Sequence, residues 1–193
     1  MEDFILYFKM GLTHVLDFSA YDHILFLIVL AVVFNFKVWQ KVLWLVTLFT
    51  IGHSITLALA AYKLVQFPID VIEFLIPLTI FITGVLNVIV SKNTLTKNTK
   101  INLFFAFLFG LIHGLGFSNY FKMMIGKEEN KLQPLIEFAL GIEAAQIIIV
   151  LGILIIGTFL QGLFKVSRRD WIMVTSSIVI GFAIQMMLAR VFW

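Results

Sequence analysis

Four histidines, His14, His23, His53 and His113, lie in or beside long apolar runs, together with the carboxylates Asp22, Glu73, Glu137 and Glu143. Imidazole and carboxylate together form the ligand set of borderline divalent metals such as zinc, nickel, cobalt or copper. An ionisable group inside a bilayer is costly, so it faces the bundle interior and marks function by default. The candidate metal ligands are His14, Asp22, His23, His53, His113 and Glu143. The remaining acids have plainer roles: Glu73 and Glu137 sit near helix N-termini, where the macrodipole favours negative charge, and Asp17 fits turn chemistry. Asp22 also has such a role open to it, as partner of Ser19 in a capping box. There is no cysteine, which excludes thiolate ligands, disulfides and cysteine nucleophiles. No Walker loop, GxSxG elbow or HExxH motif occurs.

The elements that must hold these residues follow from composition. Of 193 residues, 61% are apolar and 13% charged, against about 45–50% and about 25% in a soluble domain. A soluble fold and a disordered chain are both excluded. A net charge of +3 without a basic run gives no reason to expect nucleic acid as a partner. The expected fold is all-α: one polytopic membrane domain over residues 1–193, a helical bundle whose first partner is the lipid bilayer. A homo-oligomer is compatible with this composition.

A helix needs about 20 apolar residues to cross the hydrocarbon core. Six segments are read as spans: Tyr21–Phe36, Val38–Tyr62, Val71–Val90, Asn102–Phe121, Pro134–Phe164 and Trp171–Phe192. Polar breaks fall at Lys92–Lys100, Lys127–Gln133 and Lys165–Asp170. Phe4–Leu16 is too short to span, and Met1-Glu2-Asp3 provides no basic n-region for a signal peptide. It is expected to be a short interfacial or re-entrant helix, followed by a turn at Asp17-Phe18-Ser19. Alternating the loops gathers Lys37, Lys41, Lys92, Lys97, Lys100, Lys165, Arg168 and Arg169 on one side, with Asp170 the only carboxylate. That side is expected to be cytoplasmic, which puts both termini outside a bacterial cytoplasmic membrane. All four histidines, with Asp22 and Glu143, then belong to the outer half.

The neighbours suit close packing. Gly110-x-x-x-Gly114 brackets His113 as a small-residue approach motif, and Gly141, Ala144 and Ala145 surround Glu143. Thr47, Thr50, His53 and Ser54 form a polar stripe at helical spacing. Glu73, Ile80, Thr83 and Asn87 lie near one another on the third span, which Pro77 is placed to kink, and the two stripes are expected to line a polar path inwards.

Four stretches resemble the HupE/UreJ family of small membrane proteins: Gly11 to His14 running to Tyr21-Asp22-His23, Phe49 to Leu57 around His53, Phe109 to Phe117 around His113, and Glu137 to Gln146 around Glu143. The resemblance covers nearly the whole chain. It implies a nickel or cobalt permease associated with hydrogenase and urease maturation. The family signature has a histidine about five residues before Asp-His. Here seven residues separate His14 from Asp22-His23, and the turn at Asp17–Ser19 is expected to absorb the difference.

Two functional readings stand side by side. One is a secondary transporter for a divalent metal, nickel or cobalt first, that captures the ion at His14, Asp22 and His23 and passes it to His53, His113 and Glu143. The other is a membrane-embedded metal-dependent hydrolase for a lipid-type substrate, with Glu143 or Asp22 as general base for a metal-bound water.

Overall fold

The computed structural model describes residues 2–17, 21–90, 99–126 and 130–193. It is all-α. The elements are α1 (Glu2–Leu16), α2 (Asp22–Ala31), α3 (Trp39–Ala61), α4 (Ile69–Val90), α5 (Thr99–Ile125), α6 (Leu132–Leu163) and α7 (Arg168–Ala189), with a 3-10 turn at Phe36–Val38 before α3. Five helices, α3 to α7, are long and apolar enough to cross a membrane. The segment read as the first span instead forms α2, whose ten residues reach about 15 Å, half of an about 30 Å hydrocarbon core. Of the expected breaks, Lys92–Lys100 lies largely outside the described residues and Lys127–Gln133 in part, its last two residues opening α6.

These helices are apolar on every face, so lipid and protein interior compete equally for their side chains. Trp44, Ile89 and Leu188 are exposed to the surroundings, while Leu45, Ile80 and Val179 are buried. With no hydrophobic force favouring one face, association in lipid depends on close van der Waals approach at small residues. Three helix pairs dominate: α3 with α5, α1 with α6, and α4 with α7. A Cβ added at Gly110 would collide with the carbonyl of Phe49, and one at Gly114 with that of His53. Because Phe49 precedes His53 as Gly110 precedes Gly114, α3 and α5 run in the same direction, which sets His53 and His113 at one level. Gly11 and Gly141 make the equivalent approach between α1 and α6, each against the other helix's backbone.

The short helix α2 is the hub. It touches α1, α4, α6 and α7 and buries Leu25, Phe26, Leu27 and Val29. A helix ending inside a bundle leaves its last carbonyls without intrahelical donors, which is tolerated only where protein supplies them. Here Asn87 of α4 donates to the Val29 carbonyl at 2.7 Å, and Arg168 of α7 donates to the Val33 carbonyl at 2.7 Å. Asn87 also reaches Ser176 of α7 at 3.3 Å. A similar repair occurs in α4. Pro77 has no N–H for the carbonyl of Glu73, and Arg190 donates to that carbonyl at 3.3 Å.

The capping box expected at the start of α2 rests partly on Ser19, which lies outside the described residues. Asp22 is the first residue of α2, after an N-cap at Tyr21 that makes no side-chain cap bond. Its carboxylate accepts the backbone N–H of His23 at 2.9 Å, so Asp22 is not the third-position member of a cap.

Replacing Asn87 by Leu should strand the Val29 carbonyl and destabilise the bundle by about 1–3 kcal/mol. Thermal unfolding in detergent, against the milder Ser176→Ala, reads this out. Equal melting temperatures for wild type and Asn87→Leu would contradict the capping role.

Candidate metal centre

The last turn of α1 carries His14 and the first turn of α2 carries His23. The two rings meet across the break between the helices, their centroids 4.6 Å apart, while most of the turn expected at Asp17–Ser19 lies outside the described residues. His53, from the middle of α3, lies 5.9 Å from His14 and 6.0 Å from His23 by ring centroid. One ring nitrogen from each of His14, His23 and His53 falls within 4.8 Å of the others. His113 of α5 adjoins His23 at 5.5 Å.

Burial and hydrogen bonding give these imidazoles a defined chemical state. His23, His53 and His113 are buried, His53 completely. His23 Nδ1 lies 3.0 Å from Asp22 Oδ1, and His113 Nδ1 lies 2.9 Å from the Phe109 carbonyl oxygen. Each oxygen is an acceptor, so each Nδ1 carries the proton and each Nε2 presents a lone pair. Those Nε2 atoms are buried without a partner, as are His14 Nε2 and both ring nitrogens of His53. Buried polar atoms are nearly always paired, so several converging lone pairs are a donor set in want of an acceptor.

A divalent transition metal fits that set. Nitrogen donors round one such ion stand up to about 4 Å apart, twice a bond length of about 2.0–2.1 Å. The spread of 4.8 Å is slightly larger, so a central ion would draw the rings inward. The Asp22–His23 bond is the carboxylate–histidine arrangement that fixes tautomer and ring orientation at metal sites.

Aromatic rings enclose the cluster. Phe117 and Phe138 stack on each other at 5.2 Å and flank His14 at 3.9 Å and 5.8 Å. Phe26 and Phe49 stack at 4.8 Å and flank His113 at 5.2 Å and 5.0 Å. Beside Phe117 a cleft lined by Met10, Thr13, His14, Asp17 and Tyr120 opens to the exterior. The phenylalanine enclosure was not anticipated. Its signal was the count of 21 phenylalanines, several one turn from a histidine.

Glu143 stands elsewhere. Its carboxylate accepts from Thr47 at 2.6 Å across the α3–α6 seam, and among the described residues it is not part of the converging donor group. Thr50 and Gln146 pair along the same seam at 2.9 Å. Half of the expected polar stripe on α3 is thus tied to α6. Asn87, expected on a polar path, caps α2. Glu137 is buried, accepts from Gln133 at 2.9 Å and leaves Oε2 without a partner, more than its helix-terminal position suggested.

Asp22→Asn should lower affinity for nickel, cobalt or zinc by about 10–100-fold, the usual cost of losing such an outer carboxylate. Calorimetric titration of purified protein measures it. Unaltered affinity would mean that Asp22 does not orient His23.

No curated protein and no solved structure gives a significant match to this chain. The family profile described as HupE / UreJ protein matches residues 1–190, essentially its whole length. With apolar helices sized for a bilayer and a buried imidazole cluster between them, the chain belongs to the HupE/UreJ family.

Proposed function

We propose that this protein is a secondary transporter for a divalent transition metal ion, nickel or cobalt before zinc or copper, in a bacterial cytoplasmic membrane. The observation that carries the reading is the convergence of His14, His23 and His53 ring nitrogens within 4.8 Å, inside a bundle whose family is linked to nickel and cobalt. The ion is the cargo. It enters by the cleft beside His14, which is the outer side in the orientation assigned from the lysine and arginine loops. It is held by His14, His23 and His53, with Asp22 orienting His23. His113 receives it next, because its Nε2 lone pair is buried, unpartnered and adjacent to His23.

Transporters place their sites where helices are broken, since freed ends can serve the substrate. The break between α1 and α2, with a histidine on each side, has that form. Imidazole ligands also suit transient holding: binding requires the neutral ring, so proton and metal compete for the same lone pair. The chain contains no nucleotide-binding motif, so an ion gradient or a partner supplies the driving force.

A second reading is favoured by one feature. Three protein ligands with a remaining open position is the composition of catalytic zinc sites. A metal-dependent hydrolase acting on a lipid-type substrate would use that position for water. Movement of the ion separates the two readings.

Purified protein in liposomes should accumulate radioactive nickel or cobalt, and His53→Ala or His113→Ala should reduce uptake at least tenfold. Uptake equal to wild type in both variants would contradict the transport route. Metal bound without uptake, together with ester or amide hydrolysis, would favour the enzyme.

A further inference from the structure

The seam between α3 and α6 holds a second polar group that the histidine cluster does not use. A groove opens there between Thr47, Thr50 and Ser54 of α3 and Leu135, Ala139 and Glu143 of α6. Its rim is apolar and faces outward: Ile51, Ile55, Ile136 and Leu140 are exposed. In a bilayer this rim meets lipid, so the groove places a carboxyl group at the protein–lipid boundary. Glu143 is eleven residues into the 32-residue α6, about 16 Å along the helix, within a helix apolar enough to span a membrane.

A carboxyl at that depth needs a partner. Among the described residues Glu143 has no ion pair, and Thr47 is its hydrogen-bond donor at 2.6 Å. The groove lining contains no other ionisable side chain. Of the elements packed against α6, α3 carries Lys41 and His53, α2 Asp22 and His23, α1 Glu2, Asp3, Lys9 and His14, the 3-10 turn Lys37, and α7 Arg168, Arg169 and Asp170. Among the described side chains none of them lines this groove, and neither does Glu137 of α6 itself.

One turn away, the amide of Gln146 is fully buried. Thr50 Oγ1 lies 2.9 Å from Gln146 Oε1 and 3.2 Å from the Val46 carbonyl, while Gln146 Nε2 has no partner. A hydroxyl has one proton to give. Turning the amide over would let it donate to Thr50, but its oxygen would then be the orphan. Either way the seam keeps an unsatisfied buried polar atom beside the carboxyl.

The donors in the groove are all oxygens: a carboxyl and three hydroxyls. Oxygen sets select hard ions, whereas imidazole sets select borderline transition metals. We propose that Glu143, with Thr47 and Thr50, forms a separate site for a small hard cation, a proton or sodium, at the lipid-facing α3–α6 seam. This site rests on the transport reading for its purpose, which is to couple the ion gradient to metal movement. α3 carries both Thr47 and His53, six residues apart, so one helix joins the two sites.

The chemistry of the site can be tested without any metal. Dicyclohexylcarbodiimide is apolar, reaches carboxyl groups from lipid, and adds to their protonated form. Purified wild-type protein in detergent is treated over a range of pH and sodium concentration, and the modified residue is located by mass spectrometry. Glu143 should be labelled, and Glu143→Gln should lose that label. Labelling that disappears as pH rises and ignores sodium identifies a proton site. Loss of label on adding sodium at fixed pH identifies a sodium site. Failure of Glu143 to label under any condition, or labelling indifferent to both, overturns the proposal.

A second arm separates this site from the metal centre. Glu143→Gln should retain nickel binding but lose the response of nickel uptake to a pH or sodium gradient. Loss of nickel binding in Glu143→Gln would make it a metal ligand and overturn the separate site. If labelling of wild type at Glu143 responds to pH or sodium but the protein binds no nickel, the transport reading fails while the cation site stands.

Discussion

Everything in this bundle depends on the cost of a bare imidazole nitrogen in an apolar interior. Such an atom, without a partner, costs on the order of 1–3 kcal/mol. Here His14, His23, His53 and His113 all contribute at least one. Side chains so placed are a liability unless something accepts their lone pairs. A divalent transition metal ion relieves several at once, and relief on binding is a source of affinity. It also accounts for the tautomers. Asp22 and the Phe109 carbonyl accept hydrogen bonds from Nδ1 of His23 and His113, so both rings keep Nε2 as a lone pair.

The architecture exists to hold two short helices against each other inside the bundle. α2 is too short to cross a membrane, so its ends fall within protein. Its start supplies Asp22 and His23, and its end is satisfied by Asn87 and Arg168 from α4 and α7. The glycine contacts do the complementary task. Gly110 and Gly114 bring α5 onto α3 and so bring His113 level with His53, while Gly11 and Gly141 bring α1 onto α6 beneath His14. An added Cβ at any of these four glycines would collide with the facing helix and push the two apart.

Much of this was legible from the chain. Histidine and carboxylate stood out because 61% of the residues are apolar, and polar groups in such a background are rarely idle. The long spans were readable from length alone, to within a few residues for α3 to α7. Three features were not readable. Tyr21–Phe36 was taken for a span because hydropathy cannot distinguish lipid from protein interior, and α2 is surrounded by protein. Glu143 was grouped with the histidines because its depth matched, but depth does not give the helix face, and these helices are apolar all round. Asn87 looked like part of a polar path, since capping of a neighbouring helix has no signature in its own sequence.

In the proposed metal centre three imidazoles, those of His14, His23 and His53, hold one ion. X-ray absorption spectroscopy of the nickel- or zinc-loaded protein tests it most directly. The first shell should hold three imidazole nitrogens at about 2.0–2.1 Å for zinc, falling to two in His23→Ala. A shell made of oxygen alone, or one unaltered by that substitution, would contradict it.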